Sequence, residues 1–294
     1  IRIFVTKSYS FSVADIPIMM LFILLGIFCV ICFRWMVKYK RMIIGVVSTT
    51  TKCMKQIQTA EKNAYYALLK YHKSKTKDKV EDLSNELKKF LQEVLDSVCA
   101  VLEAYSGKDV SGCVKLIEKP SDGSTELTYD NAVVSTICRS KESDPARGEA
   151  VHDVPAKIKE NTDFADILFR RDYHKSYFYV RDLEQYDEQL KAVNNGIGYQ
   201  NTRLNWRQYY RGTIVMPVRI ESNRLFFMAD RTANNEHILA FLCFDSLSTD
   251  VFTENRERYI VDLVRGAADS IYLILNQYSY YLDKINEESA SGCV

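Results

Sequence analysis

The stretch "ILAFLCFDSLSTDVFTENRERYIVDLVRGAADSIYLIL" (residues 238–275) decides the fold of the C-terminal half of this chain. An apolar run stops at Asp245, a short polar turn follows, and "FTEN" opens a segment whose apolar residues recur three and four positions apart. The first part is typical of a buried strand, and the second of a helix with one apolar face. We expect Thr253 to cap this helix and Glu254 to lie in its first turn.

Upstream of this stretch the pattern also alternates between strands and a helix. The sequence predicts strands over residues 111–119, 126–139, 176–183, 211–220 and 237–246. It predicts a helix over 155–171, with a break and a new cap near Asn161. Because the last three strands follow one another too closely for every connection to be a helical crossover, we expect an α+β fold with a mostly antiparallel sheet and flanking helices.

The C-terminal segments resemble the second half of a GAF domain. The resemblance rests on the strand "TIVMPVRI" with its central Pro, the strand "ILAFLCFDS" and the helix that opens with "FTEN". The segment "NTDFADILFRRDYHKSYFYVRDLEQYD" is similar to the family's middle helix and the Asp-Leu strand that follows it. The resemblance covers about residues 91–281. It implies a cup over the sheet that holds a small ligand, and flanking helices that pair in dimers.

The chain also departs from several members of that family. The Asn-Lys-Phe-Asp-Glu set that accompanies cyclic-nucleotide binding is not found, and neither is a bilin-attachment cysteine. The cysteines do not match the set of the family's methionine-sulfoxide reductases. The connection over residues 221–236 is longer than the usual tight hairpin. The cofactor and the ligand therefore stay unassigned.

The resemblance implies that a pocket is lined by the middle helix, the Asp-Leu strand and the irregular segment after it. The candidate ligand-binding residues are Phe164, Leu168, Tyr179, Arg181, Asp182, Tyr199, Trp206 and Arg211. Aromatic rings offer stacking area, and an arginine holds an anionic group. The alternative is that Phe164, Leu168 and Trp206 belong to the core while the charged residues pair with one another at the surface.

Composition argues against several classes of function. The 39 Lys and Arg residues balance 38 Asp and Glu residues, so no basic surface for nucleic acid is expected, although "RLNWRQYYR" (residues 203–211) mixes arginines with aromatic residues. The eight cysteines form no zinc pattern and the four histidines are scattered. We interpret the cysteines as reduced thiols and expect no metal site and no catalytic residue.

Residues 16–33 form an uncharged apolar run of 18 residues, and residues 16–37 are long enough to cross the roughly 30 Å hydrocarbon core as a helix. Arg34, Lys38, Lys40 and Arg41 follow the run, and positive charge marks the cytoplasmic side. The run is too long for a signal peptide and lacks a cleavage site. We expect a transmembrane helix in the cell inner membrane, single-pass or the last span, with the C-terminal part cytoplasmic.

Two amphipathic helices are predicted after the apolar run, over residues 42–71 and 80–104, with a lysine-rich break between them. They fit either a continuous dimeric stalk or an antiparallel hairpin. The expected organisation is an extracytoplasmic tail or loop (1–15), a transmembrane helix (16–37), a helical, coiled-coil-like stalk (38–104), a GAF-like cytoplasmic domain (105–282) and a flexible tail (283–294).

The leading hypothesis is a membrane-anchored cytoplasmic sensor, dimeric and not an enzyme. It would bind a small ligand or a partner and signal through its stalk to a separate signalling or effector protein. Its expected contacts are the lipid bilayer and a second copy of itself, with no nucleic acid. The alternative is a ligand-free, membrane-tethered scaffold or effector subunit, for example of a bacterial defence system. A third hypothesis is an enzyme that uses Cys113, Cys138 or Cys243.

Overall fold

The computed structural model describes residues 15–74, 78–118, 128–141, 155–169, 177–203, 205–219 and 238–290. The chain divides into two units, Ile1–Ser48 and Thr49–Val294. The described helices are α1 (Asp15–Ser74), α2 (Asp78–Ser106), α3 (Thr162–Phe169), α4 (Leu183–Val193) and α5 (Glu257–Ala290). Helix α5 continues to Ala290, into the segment predicted to be a tail.

The first unit contains the apolar part of α1. Among the residues that the structure describes, α1 is the one helix long and apolar enough to cross a membrane, and the side chains of its most apolar stretch are exposed. Leu21, Phe22 and Phe28, for example, are all more than 60% exposed. Such a run of exposed large apolar side chains is unfavourable in water and suits a hydrocarbon environment.

The second unit is built on one six-stranded sheet. Its strands are β1 (Ser111–Glu118), β2 (Val133–Arg139), β3 (Ala156–Lys157), β4 (Phe178–Val180), β5 (Gly212–Val218) and β6 (Ala240–Ser246). They lie in the order β3-β2-β1-β6-β5-β4, and every neighbouring pair is antiparallel. The α+β fold with an antiparallel sheet is therefore confirmed.

One face of the sheet is covered by α2 and α5, and the part of α1 from Thr49 onward packs into the same hydrophobic core. These three helices are called the helix layer. Alternate strand residues point into this layer, so that Val114, Ile214 and Leu242 are fully buried beneath Leu91 and Ile260. Each such aliphatic side chain contributes roughly 1.5–3 kcal/mol on burial. Of the two hydrophobic cores formed by the described residues, the one beneath the helix layer is the larger.

Within the helix layer, α1 and α2 lie antiparallel. The Ser97 hydroxyl donates to Gln56 Oε1 at 3.4 Å, and these two residues are about equally far from the connection between the helices. Of the two arrangements that fitted the sequence, the structure has the hairpin. The predicted turn at the lysines includes residues 75–77, which lie outside the described residues. A hydrogen bond of 2.9 Å between the Thr50 and Tyr259 hydroxyls joins α1 to the start of α5.

Two local predictions were wrong. The helix expected from residue 155 begins only at Thr162, because Ala156 and Lys157 pair with β2 and Ile158 opens a 3₁₀ turn with its N–H bonded to the Ala132 carbonyl. Thr253 precedes a 3₁₀ turn, Glu254–Arg256, but does not cap it: its hydroxyl donates to Asn255 Oδ1 at 2.6 Å. Within the described residues all five predicted strands are present, and each except β1 is shorter than expected.

A candidate ligand pocket

The face of the sheet opposite the helix layer carries a cavity of about 410 Å³. Its floor consists of side chains from the three central strands: Cys113, Lys115, Val215, Cys243 and Asp245. These residues alternate along each strand with the residues that enter the helix layer, because successive side chains of a strand point to opposite faces. The volume is within the range of small-molecule sites.

The walls of the pocket come from two segments. One is the start of α3, with Asn161, Asp163 and Phe164. The other lies between β4 and β5 and contributes the stretch from Tyr199 to Arg203 together with Tyr210. Two hydrogen bonds between Thr162 and Gln200 tie the two segments together. The Thr162 N–H donates to the Gln200 carbonyl at 3.0 Å, and the Gln200 N–H donates to the Thr162 hydroxyl at 2.8 Å. The buried Asn161 adds a second tie, because its Oδ1 accepts from both the N–H and the hydroxyl of Thr202.

Asp163 is a buried carboxylic acid that faces the cavity. Burial raises its pKa to about 7, and the nearby Asp245 carboxylate adds to the rise. Hydrogen bonds from the Phe164 N–H and the Tyr199 hydroxyl, together with the charge of Lys115, lower its pKa but do not outweigh burial. Asp163 therefore exchanges a proton near neutral pH, which is a common property of functional sites.

A chain of hydrogen bonds ends at Asp163. The Tyr210 hydroxyl donates to Asn201 Oδ1 at 2.9 Å, and Asn201 Nδ2 donates to the Tyr199 hydroxyl at 3.3 Å. The Tyr199 hydroxyl in turn donates to Asp163 Oδ2 at 3.2 Å. Because each member fixes the orientation of the next, the polar wall of the pocket is ordered in one arrangement.

Two thiols lie side by side on the floor. Cys113 and Cys243 are directly opposite each other in the antiparallel pair of β1 and β6. Burial raises the pKa of the Cys243 thiol well above its ordinary value, and a hydrogen bond with Cys113 raises it further. Because the thiolate is the reactive form, the Cys243 thiol is a poor nucleophile at neutral pH.

Acidic and basic side chains both line the pocket. The acids among the described lining residues are Asp163, Asp245 and Glu160, and the cations are Lys115, Arg139, Lys157 and Arg203. The Lys115 ammonium group donates to the Thr136 hydroxyl at 3.1 Å and lies 5.9 Å from the Phe164 ring centre. The lining therefore offers a ligand partners of both charge signs.

A buried carboxylate supports the wall from behind. Asp187 accepts hydrogen bonds from the ammonium of Lys191, the guanidinium of Arg207 and the backbone N–H of Tyr199. Trp206 packs edge-on against the Tyr199 ring, with 5.1 Å between ring centres. The pocket wall at Tyr199 is therefore held by both charge and aromatic packing.

The structure brings two of the eight sequence-predicted residues into the pocket. Phe164 and Tyr199 line it. Leu168 packs into the hydrophobic core beneath the wall, and Trp206 lies behind Tyr199. These two residues contribute to the site as support for the residues that face the cavity.

The other four predicted residues lie outside the pocket lining. Tyr179 points into the helix layer, where its hydroxyl donates to the Thr253 carbonyl at 3.0 Å. Arg181 donates to the Thr249 carbonyl. Asp182 caps α4 by accepting from two backbone N–H groups, and Arg211 pairs with Asp182 at 3.0 Å. Strand alternation explains the position of Tyr179, because its neighbours Phe178 and Val180 point to the pocket side.

The floor of the pocket was not predicted from the sequence. Cys113 and Cys243 were named only as candidate residues of the enzyme hypothesis, and Lys115 and Asp245 were not named as site residues. One signal was present: in "SGCVKLIEK", Cys113 and Lys115 alternate with the apolar Val114 and Leu116. A lysine on the face of a central strand indicates a polar space above it.

No protein-family model matches the chain, and no curated protein matches it. Several solved structures are similar to it. The type II free methionine-R-sulfoxide reductase of Thermoplasma acidophilum is 12% identical, with 65% of this chain and 96% of that chain covered and a TM-score of 0.36. The GAF domain of an Acinetobacter phosphoenolpyruvate-protein phosphotransferase is 8% identical (72% and 93% covered, TM-score 0.35).

A third similar structure is the phycoerythrobilin-bound GAF domain of a cyanobacterial phytochrome. It is 11% identical, with 74% of this chain and 97% of that chain covered and a TM-score of 0.37. The similar structures thus include a reductase and two GAF domains. Solved GAF domains are thus among the structures similar to this chain, as the sequence resemblance implied. The second unit itself has an α+β fold, with one antiparallel sheet and a helix layer on one face.

Proposed function

We propose that this chain is a membrane-anchored sensory module that binds a small ligand in the pocket and signals through the helix layer. The observation that carries the proposal is the pocket itself: a cavity of about 410 Å³ with an ordered polar wall and a buried, titratable Asp163. A ligand-free scaffold has no need of a buried acid beside a cavity, because burying an ionisable group costs stability.

The sheet offers a short path from the pocket to the helices. In β1, Cys113 and Lys115 face the pocket while Val114 is buried in the helix layer. In β6, Cys243 faces the pocket while Leu242 is buried in the helix layer. Because protein interiors are close-packed, a ligand that shifts these strands also shifts the helices beneath them.

The helix layer is the proposed output. Helix α1 contributes to it from Thr49 onward, and the same helix carries the apolar segment that we propose as the membrane anchor. We propose that two copies of the chain pair and that the pair acts on a separate signalling or effector protein on the cytoplasmic side. Binding would then change the packing of α1, α2 and α5, and the partner would respond to that change.

We propose a binding role and not catalysis. The thiol of Cys243 is kept protonated by burial, and its neighbour Cys113 is buried as well. An attacking cysteine requires a thiolate, which is favoured by nearby cations and exposure. The pocket instead provides hydrogen-bond donors, hydrogen-bond acceptors and aromatic surface, which are the features that bind and orient a small molecule.

The test is native mass spectrometry of the full chain in detergent, after exposure to a metabolite extract. A reproducible added mass is expected for the natural chain. Val215→Phe, which places a ring on the pocket floor, should abolish that mass, whereas Val193→Phe at an 80% exposed position should retain it. An unchanged spectrum for Val215→Phe, or no bound molecule in the natural chain, would contradict the sensory role.

A further inference from the structure

We propose that a stripe of cations just beyond the apolar segment of α1 binds the phosphate headgroup of an anionic phospholipid. The stripe consists of Arg34, Lys38 and Arg41, which together with Phe33 and Val37 line a groove of about 300 Å³ along the helix. The inference goes beyond the proposed sensory function, because it assigns a second ligand at a second site. It rests on the proposed membrane anchor.

The three cations of the stripe lie on one side of α1. An α-helix turns by about 100° per residue, so Lys38 and Arg41 are displaced from Arg34 by only about 40° and 20°, in opposite directions around the axis. Lys40 is displaced by about 120° and does not line the groove. Three cations therefore share a narrow strip, while a fourth cation at a similar position along the helix lies outside it.

The stripe begins where the apolar run ends. Arg34 directly follows the uncharged residues 16–33, and at about 1.5 Å per residue Arg41 lies roughly 10 Å farther along the helix. The headgroup layer on each side of a bilayer is on the order of 5–8 Å thick. The Cα–Cβ bonds of a helix tilt toward its N-terminus, which here is the membrane end, so Lys38 and Arg41 lean back toward the depth of the lipid phosphates.

No acid of the described residues pairs with the stripe. The sequence from Ile16 to Ala60 contains six Lys and Arg residues and no Asp or Glu. Within the described part of the chain, Arg34, Lys38 and Arg41 are exposed and none of them makes an ion pair. A guanidinium group binds a phosphate through two parallel N–H bonds, and an ammonium group adds a compact point charge. A lipid phosphate can therefore supply the negative charge that the helix lacks.

The groove also has an apolar side. Phe33 and Val37 lie about one helical turn apart beside the cations, and the Phe33 side chain is 62% exposed. Val30, one turn before the stripe, lies on the same side of the helix and is exposed as well. An acyl chain that descends from a bound headgroup can pack along these side chains. A phospholipid thus matches both the charge and the apolar surface, whereas inorganic phosphate matches the charge alone.

A site of this kind differs from the general attraction between a basic flank and an anionic surface. General attraction depends on the number of cations near the membrane, and each Lys or Arg contributes about fivefold in affinity. Lys38 and Lys40 would then contribute equally. A site in the groove depends on Lys38 and not on Lys40, because only Lys38 lines it. The two lysines are therefore a matched pair of the same charge, two positions apart.

The experiment is native mass spectrometry of the full chain in detergent, titrated with phosphatidylglycerol and separately with phosphatidylcholine of the same acyl chains. The first phosphatidylglycerol should bind at least about tenfold more tightly, since phosphatidylcholine carries a cation of its own beside the phosphate. Lys38→Gln should weaken that binding about fivefold, and Lys40→Gln by less than about twofold. Equal losses in the two variants, equal affinity for the two lipids, or displacement of the lipid by inorganic phosphate would overturn the inference.

A membrane assay separates failure of the site from failure of the anchor. Each lysine variant keeps three of the four flanking cations, so both variants should stay with membranes after carbonate extraction, as the natural chain should. A natural chain that is released would remove the anchor and this inference with it. An anchored chain that does not distinguish the two lipids would remove the inference alone and leave the proposed sensory function standing.

Discussion

Asp187 and Arg207 lie 20 residues apart in the sequence and are joined by an ion pair of 2.6 Å behind the pocket wall. The Asp187 carboxylate is almost fully buried, whereas Arg207 is about half exposed and lies over the Trp206 ring. Burial on its own would raise the pKa of Asp187, but hydrogen bonds from Lys191 and the Tyr199 N–H and the charges of Lys191 and Arg207 hold it below its ordinary value. This carboxylate fixes the backbone at Tyr199.

The first prediction concerns that carboxylate. Asp187→Asn should lower the free energy of unfolding by about 1–3 kcal/mol at pH 7, because it removes a charged acceptor from a buried position. Since the native pKa is depressed, this contribution exists above pH 4 and disappears as the carboxylate is protonated at lower pH. Denaturant unfolding followed by tryptophan fluorescence measures it. Glu188→Gln, on the exposed side of α4, should change stability by less than about 0.5 kcal/mol.

The second prediction is a pH dependence of opposite sign at Asp163. Its native pKa of about 7 lies above the unfolded value near 4, so the native state holds the extra proton between these values. Stability should therefore fall from pH 4 to pH 7, by at most about 1.4 kcal/mol for each pH unit, and level off above.

Asp163→Asn should remove that fall. As pH rises from 5 to 8, the free energy of unfolding of the variant should increase relative to that of the natural chain. The other titrating groups are the same in both proteins, so their contributions cancel in this difference. A pH-independent difference would show that Asp163 is ionised throughout this range.

The third prediction concerns the contact between α2 and β1. A Cβ at Gly112 would lie 2.8 Å from the Phe244 ring and 3.1 Å from Leu95. Gly112→Ala should therefore destabilise the chain by about 1–3 kcal/mol through overpacking. Gly266→Ala is the matched control, since nothing lies within 4 Å of the added atom in the exposed face of α5. It should stabilise the chain by about 0.5–1 kcal/mol, as Ala is the better helix former.

The fourth prediction tests the membrane anchor. The natural chain should remain with membranes after carbonate extraction, whereas the double variant Leu24→Arg with Ile27→Arg should be released. Each arginine at the centre of a span costs about 2.5–3.5 kcal/mol on insertion. Met54→Arg, at an exposed position of the same helix beyond the apolar run, should stay in the membrane fraction. Release of the natural chain would rule out a transmembrane anchor.

Much of the fold follows from the sequence, because periodicity reports which side of an element is buried. The strand over residues 211–220 and the apolar stripe of α5 were predicted on this ground, and the structure contains both. The prediction at residue 155 failed for a reason of tertiary structure. Ala156 and Lys157 become a strand only because the edge of β2 is there to pair with them.

The site followed from the sequence only in part. Phe164 and Tyr199 were found because aromatic residues near a predicted pocket are conspicuous. Asp163 was not, since nothing local distinguishes a buried acid from a helix-capping one. The floor depends on which strands lie side by side: Cys113 and Cys243 are 130 positions apart and meet only through the pairing of β1 with β6.

The central strands serve as floor on one face and as core on the other, and this constrains how the protein can be altered. A larger side chain at Cys243 or Val215 would strain the packing of Leu242 or Ile214 one position away. The segment over residues 199–203 borders the cavity without underlying the helices. Substitutions in the wall can therefore change which ligand is bound while leaving the helix layer unchanged. Substitutions in the floor change ligand preference and the packing of the helix layer together.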